Sequence, residues 1–142
     1  MVAHRRLAGL LPIALAAAVV ACSGPPPAGY EFPRHRGFGA GSPAALLEGT
    51  LEVRDGCLYV RHEDGHLSYV VWPPGYSLRQ DGDSVAVYDG WTRRYVPGGQ
   101  VREGAGWYDP KGAQEFLVAG TTLPPNCPTD EYALATGHAD PP

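Results

Sequence analysis

The chain has 142 residues, of which 19 are Gly and 15 are Pro; charged residues make up 18 % and the formal charge is −4. So much Gly and Pro argues against a helical bundle or coiled coil, because both are poor in helix interiors. The 44 % hydrophobic and 10 % aromatic content argues against a wholly disordered chain, and the length allows one small domain.

The first element is a leader. Residues 1–6 (MVAHRR) carry two arginines and a histidine, and the uncharged run Leu7–Ala21 leads to Cys22. A basic start, an apolar stretch and small residues at its end make a secretory signal over residues 1–21. At 1.5 Å rise per residue the apolar run spans about 22 Å, short of the ~30 Å hydrocarbon core of a bilayer.

Val19-Val20-Ala21-Cys22 resembles the bacterial lipobox. The resemblance implies cleavage before Cys22, a diacylglycerol group on its thiol and an acylated new amino terminus. Two acyl chains suffice for stable anchoring. An ordinary secretory signal with a chance cysteine, or an uncleaved anchor, would also accommodate these residues. Cleavage removes Arg5 and Arg6, leaving nine basic and fifteen acidic side chains and a formal charge of −6. Without a basic stripe, a nucleic-acid partner is not expected. The expected location is the cell membrane, by lipid anchor, facing outside the cytoplasm.

Residues 22–44 are rich in Pro, Gly, Ala and Ser and show no periodicity, so they read as a disordered tether. Docking of Tyr30, Phe32 and Phe38 back on the domain is the alternative. From residue 45 onward the pattern is β. Leu47–Arg54 alternates apolar and polar. Four Asp-Gly dipeptides (55–56, 64–65, 81–82 and 89–90) supply hairpin-turn chemistry. Between them lie Cys57–Glu63, His66–Trp72 and Ser84–Tyr88, rich in β-branched and aromatic residues. Pro73-Pro74-Gly75 ends the third strand. Weaker strand candidates are Arg94–Pro97, Gln100–Glu103, Glu115–Gly120 and Tyr132–Thr136, the last also compatible with a short helix. The expected fold is all-β: a small antiparallel barrel over residues 45–142 with a flexible C-terminal tail.

With Cys22 given to lipid, Cys57 and Cys127 remain as an even pair in an exported setting, which favours a disulfide. Two free thiols or half of a metal site are the alternatives, although neither cysteine has a CxxC neighbour or a His at ligand spacing.

The run Gly49-Thr50-Leu51 to Gly56-Cys57-Leu58, then Val71-Trp72-Pro73-Pro74-Gly75, Gly82-Asp83-Ser84-Val85 and Leu123-Pro124-Pro125-Asn126-Cys127, resembles a group of small secreted or lipid-anchored bacterial proteins, largely uncharacterised. The resemblance covers about residues 48–136 and implies an OB-like β-barrel with Cys57 paired to Cys127. Val96–Gly106 departs from the more regular glycine-rich strand of that group.

His62-Glu63-Asp64-Gly65-His66 matches HExxH, which in zinc peptidases places two ligands on one helix face. Here Asp64-Gly65 interrupts two strand-like runs. A two-residue turn there would pair Glu63 with His66 and point His62 and His66 to opposite faces. No metal site is therefore expected. There is no G-x-S-x-G, P-loop or G-x-G-x-x-G, so no catalytic residue and no cofactor is assigned. Asp81-Gly82-Asp83 reads as a solvated turn. Trp91, after a turn, and Trp107-Tyr108, in a Gly-rich loop, form the candidate binding surface, since exposed aromatics on loops bring large rigid area. The expected role is a non-enzymatic binding or structural module of the cell envelope, with an envelope protein or small molecule as partner. An envelope hydrolase is the alternative.

Overall fold

The computed structural model describes residues 24–39 and 41–138. The leader, Cys22 and the last four residues of the expected tail lie outside them. Among the described residues, eight strands and one helix follow in order: β1 Ala45–Arg54, β2 Cys57–Arg61, β3 Leu67–Val71, β4 Tyr76–Asp81, β5 Ser84–Asp89, β6 Thr92–Tyr95, β7 Gln100–Tyr108, α1 Pro110–Phe116 and β8 Tyr132–His138.

The strands form two sheets. β1, β2, β3, β8 and β7 are neighbours in that order, and β7 pairs back on β1, so the ladder closes. β4, β5 and β6 make a separate three-stranded meander. The protein is thus mostly β, with two departures from expectation. β3 and β8 run parallel, and α1 occupies part of the stretch Glu115–Gly120 expected as a strand. The helix starts where it does because Asp109 caps it, its Oδ1 accepting from the Gly112 N–H at 2.7 Å, with Pro110 in the first turn. Tyr132–Thr136, compatible in sequence with a strand or a short helix, falls within strand β8.

Period-2 alternation places the core. Leu47 and Leu51 of β1, Leu58 and Val60 of β2, Val70 of β3 with the following Trp72, Val101 and Ala105 of β7, and Ala133 and Ala135 of β8 form one apolar cluster. Tyr76, Leu78, Val85 and Val87 of the meander join it, so the second sheet shares this core. The opposite faces of β2, β3 and β8 carry Cys57, Tyr59, Tyr69, Val71, Tyr132 and Leu134, which form a second cluster with Ala113, Leu117 and Cys127. Burial on both faces explains why β2 and β3 read as continuous apolar runs.

The Cys57–Cys127 disulfide is present and closes a 70-residue separation. It fastens the α1–β8 connection across the outer face of β2.

The N-terminal segment does not extend as a free tether. The Glu31 N–H donates to Gly56 O at 2.9 Å, and the His35 N–H and Trp72 N–H bond Trp72 O and Pro33 O respectively. The Arg36 N–H donates to Phe116 O at 2.9 Å. Phe32 stacks on the buried Trp72 at 5.4 Å between centroids, and Phe38 packs on Phe116 at 5.2 Å. Three aromatic side chains in a Pro-rich stretch gain enough burial here to offset ordering a segment that Pro has already stiffened.

A buried acid joins the two sheets. Glu103 of β7 is fully buried, and its Oε1 accepts from Tyr76 Oη at 2.9 Å and Tyr95 Oη at 2.7 Å. Burial pushes both phenols well above their ordinary pKa, and the neighbouring Glu103 carboxylate adds to the shift.

Candidate functional site

The β2–β3 hairpin differs from the two-residue turn expected at Asp64-Gly65. Arg61 pairs with Leu67, the His62 N–H donates to His66 O at 2.8 Å, and the Gly65 N–H donates to His62 O at 2.9 Å. The loop is therefore Glu63-Asp64-Gly65, with Gly65 at φ 86°, the left-handed residue of a three-residue turn with a bulge. Asp64 Oδ1 accepts the His66 N–H at 2.9 Å and stiffens the turn. One residue of extra loop reverses the facing argument. His62 sits opposite His66, and the rings lie 5.7 Å apart on one side. The motif remains on a hairpin rather than a helix. Among the described residues, no group of three or more His, Cys, Asp or Glu side chains is placed to hold a metal ion.

A polar chain runs through the base of this tip. The buried Ser68 hydroxyl donates to Glu131 Oε1 at 3.2 Å, and its oxygen lies 2.8 Å from His62 Nε2. Because the serine proton goes to the carboxylate, the imidazole Nε2–H donates to the serine oxygen. His66 Nε2 lies 3.5 Å from Glu131 Oε2. A Ser-His-acid nucleophile needs the imidazole between the serine and the acid, and an exposed hydroxyl. Here the serine is central and buried. The chain orders the hairpin tip against the start of β8 and does not make a nucleophile.

Two grooves meet at the tip. One, of about 940 Å³, runs between the first half of β1 and the tip, lined by Leu46, Glu48, Thr50, Arg61, Gln100 and Trp107 among others. The other, of about 480 Å³, lies on the far side of the tip, lined by Arg54, Tyr59, His66, Asn126 and Asp130 among others. Neighbouring contacts fix both walls. Glu52 Oε2 accepts from Arg61 Nε at 2.7 Å, and Glu52 also accepts from Arg54. Bonded first by Arg54 and then by Arg61, the Glu52 carboxyl is held below its ordinary pKa. Gln100 Nε2 donates to Thr50 Oγ1 at 3.1 Å. In the smaller groove Tyr59 Oη donates to Pro128 O at 3.1 Å, and burial raises the Tyr59 pKa.

The structure does not bring Trp91, Trp107 and Tyr108 together. Trp91 is 81 % exposed on the β5–β6 turn, with the Arg79 guanidinium 5.3 Å from its ring. Trp107 and Tyr108 lie in β7 rather than in a loop, and alternation sends them to different sides. Trp107 packs on the barrel core and lines the larger groove, whereas Tyr108 packs on Phe116 at 5.0 Å in the second cluster. Of the three, only Trp107 belongs to a groove at the tip. Sequence reading passed over Arg61, Ser68 and Glu131 as site residues, since their meeting depends on the hairpin register and on β8 lying beside β3.

No family model, curated protein or solved structure matches this chain.

Proposed function

We propose that the protein is a non-enzymatic binding module of the bacterial cell envelope, anchored by lipid at Cys22 and facing outside the cytoplasm, with the β2–β3 hairpin tip as its recognition element. The observation that carries this reading is that two grooves share the tip as a wall, and that the tip is fastened at its base by Ser68 and Glu131. A pre-ordered recognition element loses little entropy on binding.

The docked N-terminal segment supports this orientation. Cys22 lies four residues before Pro26, which shares a pocket wall with Val118 and Pro124, and nine before Glu31, which bonds Gly56, so an anchor there would hold the domain close to the bilayer. Tyr30 and Glu31 meet the domain at the β1–β2 turn, through Gly56. The hairpin tip is at the other end of β2, five residues on, a rise of about 17 Å. The larger groove, between the tip and the first half of β1, would then be offered away from the membrane, whereas the smaller one reaches back to Arg54 and Asp55 at the β1–β2 turn.

The strand order β1-β2-β3-β8-β7, with β3 parallel to β8, suits the OB-like barrel that the sequence resemblance implies. Its outer β2–β3 face, where such barrels commonly bind ligands, is covered here by α1 and the disulfide-fastened connection. Recognition accordingly falls to the tip and its flanks.

A photo-crosslinking residue placed at Asp64 in living cells tests this reading, with the same residue at Asp83 as the comparison. Adducts formed at 64 and not at 83 are expected; equal adducts at both, or none at 64, contradict it.

A further inference from the structure

We infer that the larger groove takes an extended peptide segment of basic character, which adds a strand to the open edge of β1. The inference rests on the binding-module reading and names the class of its partner.

The argument starts from strand lengths. β1 spans Ala45–Arg54, but β2 pairs only with Thr50–Arg54, because β2 ends at Arg61 and the chain turns off into the hairpin tip. β7 pairs with Ala45–Thr50 on the other side. The first half of β1 therefore has a strand on one side alone.

Hydrogen-bond parity shows which groups are left. The Leu51 N–H donates to Gly99 O and Leu51 O accepts from the Gly98 N–H, so the backbone groups of Leu51 point toward β7. Those of Thr50, Glu48 and Leu46 then point the other way. Thr50 meets Arg61 of β2. Glu48 and Leu46 face the groove, and no backbone among the described residues takes up their N–H and C=O groups. Their side chains line the same groove. An unpaired edge of this kind is a template for another strand, and strand addition is a recurring mode of peptide recognition.

The walls determine the character of the peptide. Glu48, Glu63 and Asp64 place three carboxylates around the slot against the Arg61 guanidinium, which Glu52 already engages. A peptide with Lys or Arg at alternate positions matches this charge, and an acidic one is repelled. Leu46, 41 % exposed, and Trp107 give apolar contact for the alternate side chains. Gly49 has a structural reason to be bare, since a Cβ there would meet Arg61 O at 2.3 Å where β2 leaves β1.

The test is fluorescence anisotropy of labelled decapeptides with the detergent-solubilised full chain. The probes are an alternating Lys-Val peptide, the same peptide N-methylated on one edge, an alternating Glu-Val peptide, and chitotetraose as an uncharged oligosaccharide competitor. Binding of the Lys-Val peptide is expected, at least tenfold weaker after N-methylation and for Glu-Val. Glu48→Pro removes a groove-facing N–H that β7 does not use, and is expected to weaken binding at least tenfold; Glu48→Gln, which keeps that N–H, should weaken it less. Equal binding of the methylated peptide, equal binding by Glu48→Pro, or displacement by chitotetraose with no peptide preference overturns the inference. Adducts at Asp64 without Lys-Val binding would overturn the peptide and leave the binding module. Absence of adducts at Asp64 would remove the module itself.

Discussion

His35 Nε2 lies 2.6 Å from the carbonyl oxygen of Ala135, one hundred residues further along the chain, and the ring is 1 % exposed. The other ring nitrogen, Nδ1, accepts the Gly37 N–H at 3.0 Å. An Nδ1 that accepts carries no proton, so the imidazole is neutral and donates through Nε2. One side chain thus fastens the N-terminal segment to β8.

This contact makes the docking of the segment depend on pH. Burial lowers the His35 pKa, and the bond to Ala135 opposes the shift only in part. The unfolded chain therefore takes up a proton at His35 before the folded chain does. Stability from this group is full above about pH 6.5 and is lost as pH falls below it, toward the depressed folded value. The protection of the His35 and Arg36 amides, taken relative to intrinsic exchange at each pH, should fall between pH 7 and 5 more than that of β5. In His35→Gln that difference should shrink; an unchanged acid response would show that another group controls the segment.

Glu103 is the polar link between the sheets, and its loss should be costly. Glu103→Ala removes the acceptor that Tyr76 and Tyr95 share, while Tyr95 Oη keeps the Arg102 carbonyl at 2.9 Å, so a cost of about 1–3 kcal/mol in all is expected. Glu103→Gln keeps an acceptor and should cost less. Urea unfolding of the two variants measures the order; equal stabilities would mean that the carboxylate is not what joins the sheets.

The Cys57–Cys127 bridge should matter to stability about as much as a large core side chain. Closing a 70-residue separation is worth about 4 kcal/mol in the chain-entropy account. The Cys57→Ala/Cys127→Ala double variant should therefore melt well below the parent. It should also expose the α1–β8 connection to proteolysis before β5 is cut.

Gly56 leaves no room for a side chain beneath the N-terminal segment. Its φ is +80°, and a Cβ there would meet Gly29 O at 1.9 Å. Gly56→Ala should release the segment at a cost of about 1–3 kcal/mol, read as tryptic cleavage after Arg34 and Arg36. Gly90→Ala also has a positive φ but open space around it, and should leave the segment protected.

Much of the β domain was legible because its signals are local. Asp55-Gly56 and the alternation around it mark the β1–β2 hairpin, and cysteine parity favoured the bridge. The helix is signalled by Asp109-Pro110, a cap followed by proline, but it is only seven residues long and contains Gly112, so its periodicity is too short to stand out. Tyr76–Asp81 was missed because Pro73-Pro74-Gly75 drew attention to the strand that ends there and away from the one that begins. The site was less legible. The facing of His62 and His66 depends on a single residue of loop length, and the Ser68–Glu131 bond depends on a parallel pairing 63 residues apart. The docking of residues 26–39 is a tertiary event that Pro and Gly content conceals, since its side-chain anchors, Tyr30, Phe32, Arg34, His35 and Phe38, are scattered and much of the rest is backbone bonding.

Lipid anchoring of the proposed binding module through Cys22 is tested by intact-mass analysis of the mature protein from native envelopes. Anchoring predicts a chain that begins at Cys22 and carries the mass of a diacylglyceryl group with or without a further acyl chain. A chain that retains residues 1–21, or one with an unmodified Cys22, would contradict it.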